Sequence, residues 1–159
     1  MKREKTEMIV IHCSASEWGD SKAIGEWHKE KWGSEYPGYH YIINNCYPTF
    51  SSFKYKRPDI LADGFVQHGR PEDLVGAHLY DYNDSSIGIC LIGTNSFTNH
   101  QIVSLAKLVN NLLIKYQLKW KDVFGHYQFT DRKSCPNISM KYLIPLLGDI
   151  SNDLSSYSS

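Results

Sequence analysis

Met8-Ile9-Val10-Ile11-His12-Cys13-Ser14-Ala15 is the stretch on which the fold turns. Four consecutive apolar residues without alternation make a strand covered on both faces. Such a strand belongs at the centre of an open α/β sheet, and the ligand crevice of these sheets lies at strand ends. His12 stands at that end. The blander reading, a core histidine with its hydrogen bonds satisfied, stands beside the functional one.

Working outward, Ser86 to Gly93 is a second apolar strand, also central. Tyr39 to Ile43 is β-prone, and alternation sends Tyr39, Tyr41 and Ile43 to one face and His40 and Ile42 to the other. Asp63-Gly64 turns the chain into a short strand, Phe65-Val66-Gln67. Asp122-Val123-Phe124 is a last strand that delivers His126. Asp20 and Ser21 cap a helix to about Lys31, with Ile24, Trp27, His28 and Lys31 on its inner side or boundary. Thr98 and Gln101 form a capping box. Behind it Ile102, Leu105, Val109, Leu112, Leu113 and Tyr116 make a helical stripe. Asn137 opens a short final helix with Met140, Leu143 and Ile144, which Pro145 disturbs or ends. The serine-rich tail from Ser151 is expected to fray. The pattern predicts one α/β domain over 1–159, with its core at about 7–147. It holds a mixed central β-sheet of about five strands flanked by about three helices.

The totals narrow the function. Lys+Arg and Asp+Glu both number 17, so the chain lacks the basic excess that a nucleic-acid partner requires. No apolar run approaches the ~20 residues of a membrane span, so no membrane insertion is expected. Cys13, Cys46, Cys90 and Cys135 are scattered, form no CxxC pair and follow no signal peptide. That pattern predicts reduced thiols in a protein made in the cytoplasm rather than a disulfide framework.

Phe124-Gly125-His126-Tyr127-Gln128-Phe129-Thr130-Asp131-Arg132-Lys133-Ser134-Cys135-Pro136 carries the chemistry. Imidazole nitrogen and thiolate sulfur are ligands that zinc prefers. His12, His126 and Cys135 together would give one Zn2+ three protein ligands and an open fourth position, the arrangement of a catalytic rather than a structural site. The spacing matches no short zinc signature, because the ligands lie more than a hundred residues apart.

Six ordered segments supply what spacing cannot: Val10 to Ala15, Ile24 to Lys29, Gly38 to Ile43, Val75 to His78, Asn83 through Gly88, and Gly125-His126 through Cys135-Pro136. Together they resemble the zinc-dependent N-acetylmuramoyl-L-alanine amidases of the phage lysozyme and peptidoglycan recognition protein family, most of all short phage endolysins. The resemblance implies a zinc site in a surface groove. It also implies hydrolysis of the amide between the muramic acid lactyl group and L-alanine of bacterial peptidoglycan. By it, His12, His126 and Cys135 match the zinc ligands. Tyr39 matches a tyrosine beside the catalytic water, and Lys133 a lysine that stabilises an oxyanion. His78 and Asn83 match groove positions that would bind substrate. It further implies a monomer that reaches the cell wall after release from the cytoplasm, a holin being one route. Tyr39 as a core-edge aromatic and Lys133 as a solvated loop charge are the plainer alternatives. His28, His40, His68 and His100 read as structural or surface groups, and Cys13, Cys46 and Cys90 as small buried apolar ones.

Two stretches depart from the family pattern, and the first is the loop from His126 to Cys135, one residue longer than in the short phage relatives. In the second, from Asn44 to Ala62, periodicity is lost, and four aromatics and three basic residues stand where the relatives have a tight hairpin turn. It reads either as a wall of the substrate groove or as a surface excursion whose aromatics pack locally. Two rival functions remain: a non-catalytic peptidoglycan-binding module on the same fold, and a cysteine hydrolase using Cys13 or Cys135. Pro136 weighs against the latter, because no helix N-terminus follows Cys135 to lower its pKa.

Overall fold

In the computed structural model, which describes residues 1–157, the N-terminal strand lies inside the sheet, one place from an edge. β1 (Met8–Cys13) pairs in parallel with β4 (Ser86–Leu91) on one side and β5 (Val123–Gly125) on the other. β2 (Tyr41–Ile43) adds in parallel outside β4, and β3 (Val66–His68) closes the edge antiparallel, giving the order β3-β2-β4-β1-β5. The sheet is therefore mixed, and Ile9, Val10 and Ile11 are fully buried because both faces are covered.

The two faces are covered unequally. Ile9, Ile11, Ile87, Ile89, Leu91, Tyr41 and Ile43 pack under α3 (Asn99–Tyr116) and α4 (Met140–Tyr157) in the main core. The opposite face carries only α1 (Ser21–Trp32), which seats Ile24 on Ile42, Cys90 and Ile92. Alternation along β1 puts His12 on this thinly covered face, opposite Ile11.

The helix ends follow from their capping residues. Asp20 accepts from the Ala23 N–H at 2.9 Å, and Gly33, at φ 67, closes α1 in the left-handed conformation. Thr98 and Gln101 form the expected capping box. The buried Gln101 amide also donates to the Ile43 and Ile92 carbonyls, which ties α3 to the sheet.

Several expectations are corrected. β2 starts at Tyr41, and Tyr39 lies with Ile24 and Ile42 rather than on the face of Tyr41 and Ile43. The cause is a break in the ladder: the Gly88 N–H donates to ring Nδ1 of His40 instead of to a carbonyl. Asn137 does not open the last helix. It sits at φ 62 with its amide on the Thr94 carbonyl, and α4 begins at Met140. Nor does Pro145 end that helix, because Leu143 and Leu147, on either side of it, are buried against the core. The missing proline N–H costs less than losing that contact. The tail is not frayed through Tyr157, since α4 runs that far and Ser151 Oγ donates to the Ala106 carbonyl; residues 158–159 lie outside the described residues.

The 44–62 stretch is an excursion within the β2–β3 hairpin. Asn44 N–H donates to the Phe65 carbonyl and Gly64 N–H to the Asn44 carbonyl, which closes its neck. It contains α2 (Phe50–Lys54), capped by Thr49 and Ser52.

Candidate metal centre

β1 delivers His12, and β5 ends where His126 begins a short 3-10 turn. The loop beyond folds back because the Tyr127 N–H donates to the Cys135 carbonyl at 3.0 Å. The Tyr127 hydroxyl then accepts from the Met140 N–H at 2.9 Å. Three ligand atoms converge: Nδ1 of His12 and Nδ1 of His126 are 3.1 Å apart, and Cys135 Sγ lies 3.4 Å from His126 Nδ1 and 3.9 Å from His12 Nδ1. His12 is buried, while His126 and Cys135 are half-buried, so the cluster is reached from one side. Two imidazole lone pairs and a sulfur at this mutual spacing fit a tetrahedral ion such as zinc with one position open.

Behind His12 runs a chain of hydrogen bonds that sequence reading missed. His12 Nε2 lies 2.9 Å from His78 Nδ1, and His78 Nε2 lies 3.2 Å from Ser86 Oγ, which donates to the Tyr82 carbonyl at 2.7 Å. Since the Ser86 proton is committed, His78 Nε2–H donates to Ser86, and His78 Nδ1 accepts from His12 Nε2–H. His12 Nδ1 is left with a bare lone pair, which is what a metal ligand needs. Burial lowers the pKa of both rings, for His78 with help from the neighbouring His12, His40 and His126, so the neutral forms on which this chain depends are the stable ones.

His78 lies buried behind His12, and the Asn83 Oδ1 is occupied by the N–H groups of His78 and Leu79, at 2.7 and 2.8 Å. Gly88 makes this possible, since a Cβ there would sit 2.6 Å from His78 Cγ.

The Cys135 thiol is held low, first by a hydrogen bond with Cys13 and then by those with His12 and His126. Cys13 is pushed up in turn. Cys13 and Cys90 are buried, yet neither is merely apolar filler: Asn137 Nδ2 contacts Cys13 Sγ, and the Cys90 thiol donates to the Leu91 carbonyl at 3.7 Å. Cys46 is only half-buried, contrary to expectation, because it lies at the root of the excursion.

Tyr39 stacks against His12 with ring centroids 5.0 Å apart, and burial raises its hydroxyl well above the ordinary tyrosine range. Lys133 is exposed on the His126–Cys135 loop, close enough for its charge to depress His12. His28 and His40 are structural: His28 accepts from the Gly38 N–H, and His40 bridges Gly88 and Leu74. His68 and His100 are exposed.

A mixed sheet with a one-sided His–His–Cys cluster defines an α/β domain with a candidate metal site. Comparison with known proteins agrees: residues 2–138 match the family model described as N-acetylmuramoyl-L-alanine amidase. The endolysin of Escherichia phage T7 is 34% identical over 151 residues, covering 88% of this chain and 86% of that protein. Peptidoglycan-recognition protein SC2 of Drosophila melanogaster is 27% identical over 143 residues, covering 82% of this chain and 68% of that protein. The solved structure of N-acetylmuramoyl-L-alanine amidase LysC from Clostridium intestinale superposes with a TM-score of 0.72 at 27% identity, covering 91% of this chain and 86% of that one. The chain belongs to the N-acetylmuramoyl-L-alanine amidase family.

Proposed function

We propose that the chain, acting as one catalytic domain and as a monomer, hydrolyses the amide between N-acetylmuramic acid and L-alanine in peptidoglycan. Zn2+ is the metal, and His12, His126 and Cys135 hold it. The observation that carries this reading is the convergence of those three donors, with His12 already in the tautomer that frees Nδ1.

Zinc held there supplies Lewis acidity and lowers the pKa of water to near neutrality. The protein supplies the rest. The Tyr39 hydroxyl, kept protonated by burial, orients the attacking water and hydrogen-bonds the reacting carbonyl. The Lys133 ammonium faces the negative oxygen as the carbonyl becomes tetrahedral. The C–N bond then breaks, the water's oxygen stays on the lactyl carbon, and its proton leaves with the amine of L-alanine. His78 takes no part in the chemistry and holds the His12 ring in place. The cell wall is the place of action, reached after release from the cytoplasm.

The test uses purified sacculi. New N-terminal L-alanine should appear, stop with a chelator and return with zinc. Intact sacculi after incubation with fully metallated protein would rule the activity out and leave the non-catalytic wall-binding module.

A further inference from the structure

The amidase reading uses nothing beyond the neck of the excursion, yet that segment is where the chain's exposed large side chains concentrate. Phe50 is 54% exposed and Tyr55 59%. Two features point to a ligand. The first is charge separation. Lys54, Lys56 and Arg57 are exposed, with their cations over the rings of Tyr55 and Phe53. Against these three cations stands one exposed carboxylate, Asp59, whose Oδ1 accepts from the Leu61 and Ala62 N–H groups, while Asp63 turns inward and its Oδ1 accepts from the Thr98 hydroxyl. A neutral chain thus presents a locally positive face.

The second is continuity with the metal centre. Tyr47 O accepts from the Gly19 N–H at 2.9 Å, and Asn45 Nδ2 donates to the Glu17 carbonyl at 2.9 Å. The excursion is thereby tied to the segment that directly follows His12 and Cys13. Trp18 in that segment meets Trp27 edge-to-face at 5.1 Å and Phe50 at a tilt at 5.7 Å, a row of rings leading from α1 onto the excursion.

Resting on the amidase reading, we infer that this face is an extended subsite for polymeric peptidoglycan. It binds the repeat next to the one being cleaved. Lys54, Lys56 and Arg57 pair with stem-peptide carboxylates, and Trp18 and Phe50 pack against the apolar faces of the sugars. Aromatic rings supply rigid contact area at low entropic cost, and exposed cations add orientation that salt weakens. The nearby aliphatic pair Ile60 and Leu61, 76% and 90% exposed, makes an anionic lipid surface the rival occupant.

The experiment compares the parent with the triple variant Lys54→Ser, Lys56→Asn, Arg57→Ser. Asparagine is chosen at 56 because that residue sits at φ 50. A second variant joins Asn44 to Gly64 through a short turn in place of the excursion. Sacculi, a single muramoyl-peptide repeat, and phosphatidylglycerol vesicles serve as probes. On sacculi KM should rise about three- to tenfold, with salt-sensitive co-sedimentation lost, while turnover of the single repeat stays unchanged. An unchanged KM with unchanged co-sedimentation overturns the inference. So does retained sacculus binding accompanied by lost vesicle binding, which would assign the face to lipid. If the parent cleaves neither substrate, the amidase reading fails, and co-sedimentation of parent against triple variant still decides the subsite.

Discussion

His12 Nε2 lies 2.9 Å from His78 Nδ1, and neither ring has a free choice of tautomer. The Ser86 hydroxyl is already spent on the Tyr82 carbonyl, so protons line up from His12 to His78 to Ser86 and the lone pair of His12 Nδ1 points at the ligand cluster. His78→Ala should therefore weaken zinc binding by about 10–100-fold without removing a ligand. Competition against a chromophoric chelator measures it, and an unaltered zinc affinity would show that His78 only fills space.

Gly88→Ala should produce the same defect by another route. Its new Cβ would press on the His78 ring at 2.6 Å, displacing the ring from His12. The expected cost is about 1–3 kcal/mol of stability, together with lowered zinc affinity. Denaturant midpoints and zinc titration check the two parts separately.

Cys135→Ser should reduce zinc content to background while the fold survives, because the thiolate is one of three convergent donors. Circular dichroism with metal analysis on the same sample tests this.

Tyr39→Phe should lower kcat about 10²–10³-fold and leave zinc content and the His12 stacking contact in place. Lys133→Ala should lower kcat similarly through the oxyanion. Loss of zinc in either variant would move that residue from chemistry to scaffold.

Stability should fall in acid through His40. Burial brings its pKa from 6.5 to about 4 in the folded chain. Between those values the unfolded chain binds a proton that the native state refuses. Stability is thus full above about pH 6.5, declines as pH falls towards 4, and levels off below. The contribution is roughly 3 kcal/mol at most. Urea midpoints across that range, measured on metal-free protein, should show the decline, and His40→Gln should remove His40's share of it while the shares of the buried His12, His28 and His78 stay.

What could be read from the chain divides by range. β1 and α3 were legible because their signals are local: an unbroken apolar run at Met8–Ile11, and a Thr98–Gln101 box before a helical stripe. His12, His126 and Cys135 were legible through resemblance, as no short spacing joins them. The role of His78 was not legible, because it depends on Gly88 leaving room and on Ser86 orienting the far nitrogen, neither of which marks the neighbouring sequence. Tyr39 was put on the wrong face because period-two counting assumes an unbroken ladder, and the His40 ring interrupts it. Helix α4 was cut short because Pro145 is a local stop sign, whereas Leu147 and Ser151 hold the helix through distant partners.

The neck of the excursion is closed by a pair of backbone hydrogen bonds between Asn44 and Gly64–Phe65, and Asn45 and Tyr47 moor its root to Glu17 and Gly19. A segment whose neck closes inside a hairpin tolerates changes of length, since the entropy of closing a loop rises slowly with its length. Such a piece can be shortened or replaced without re-registering β2 on β3, because the pairing Tyr41–His68 to Ile43–Val66 lies wholly outside it.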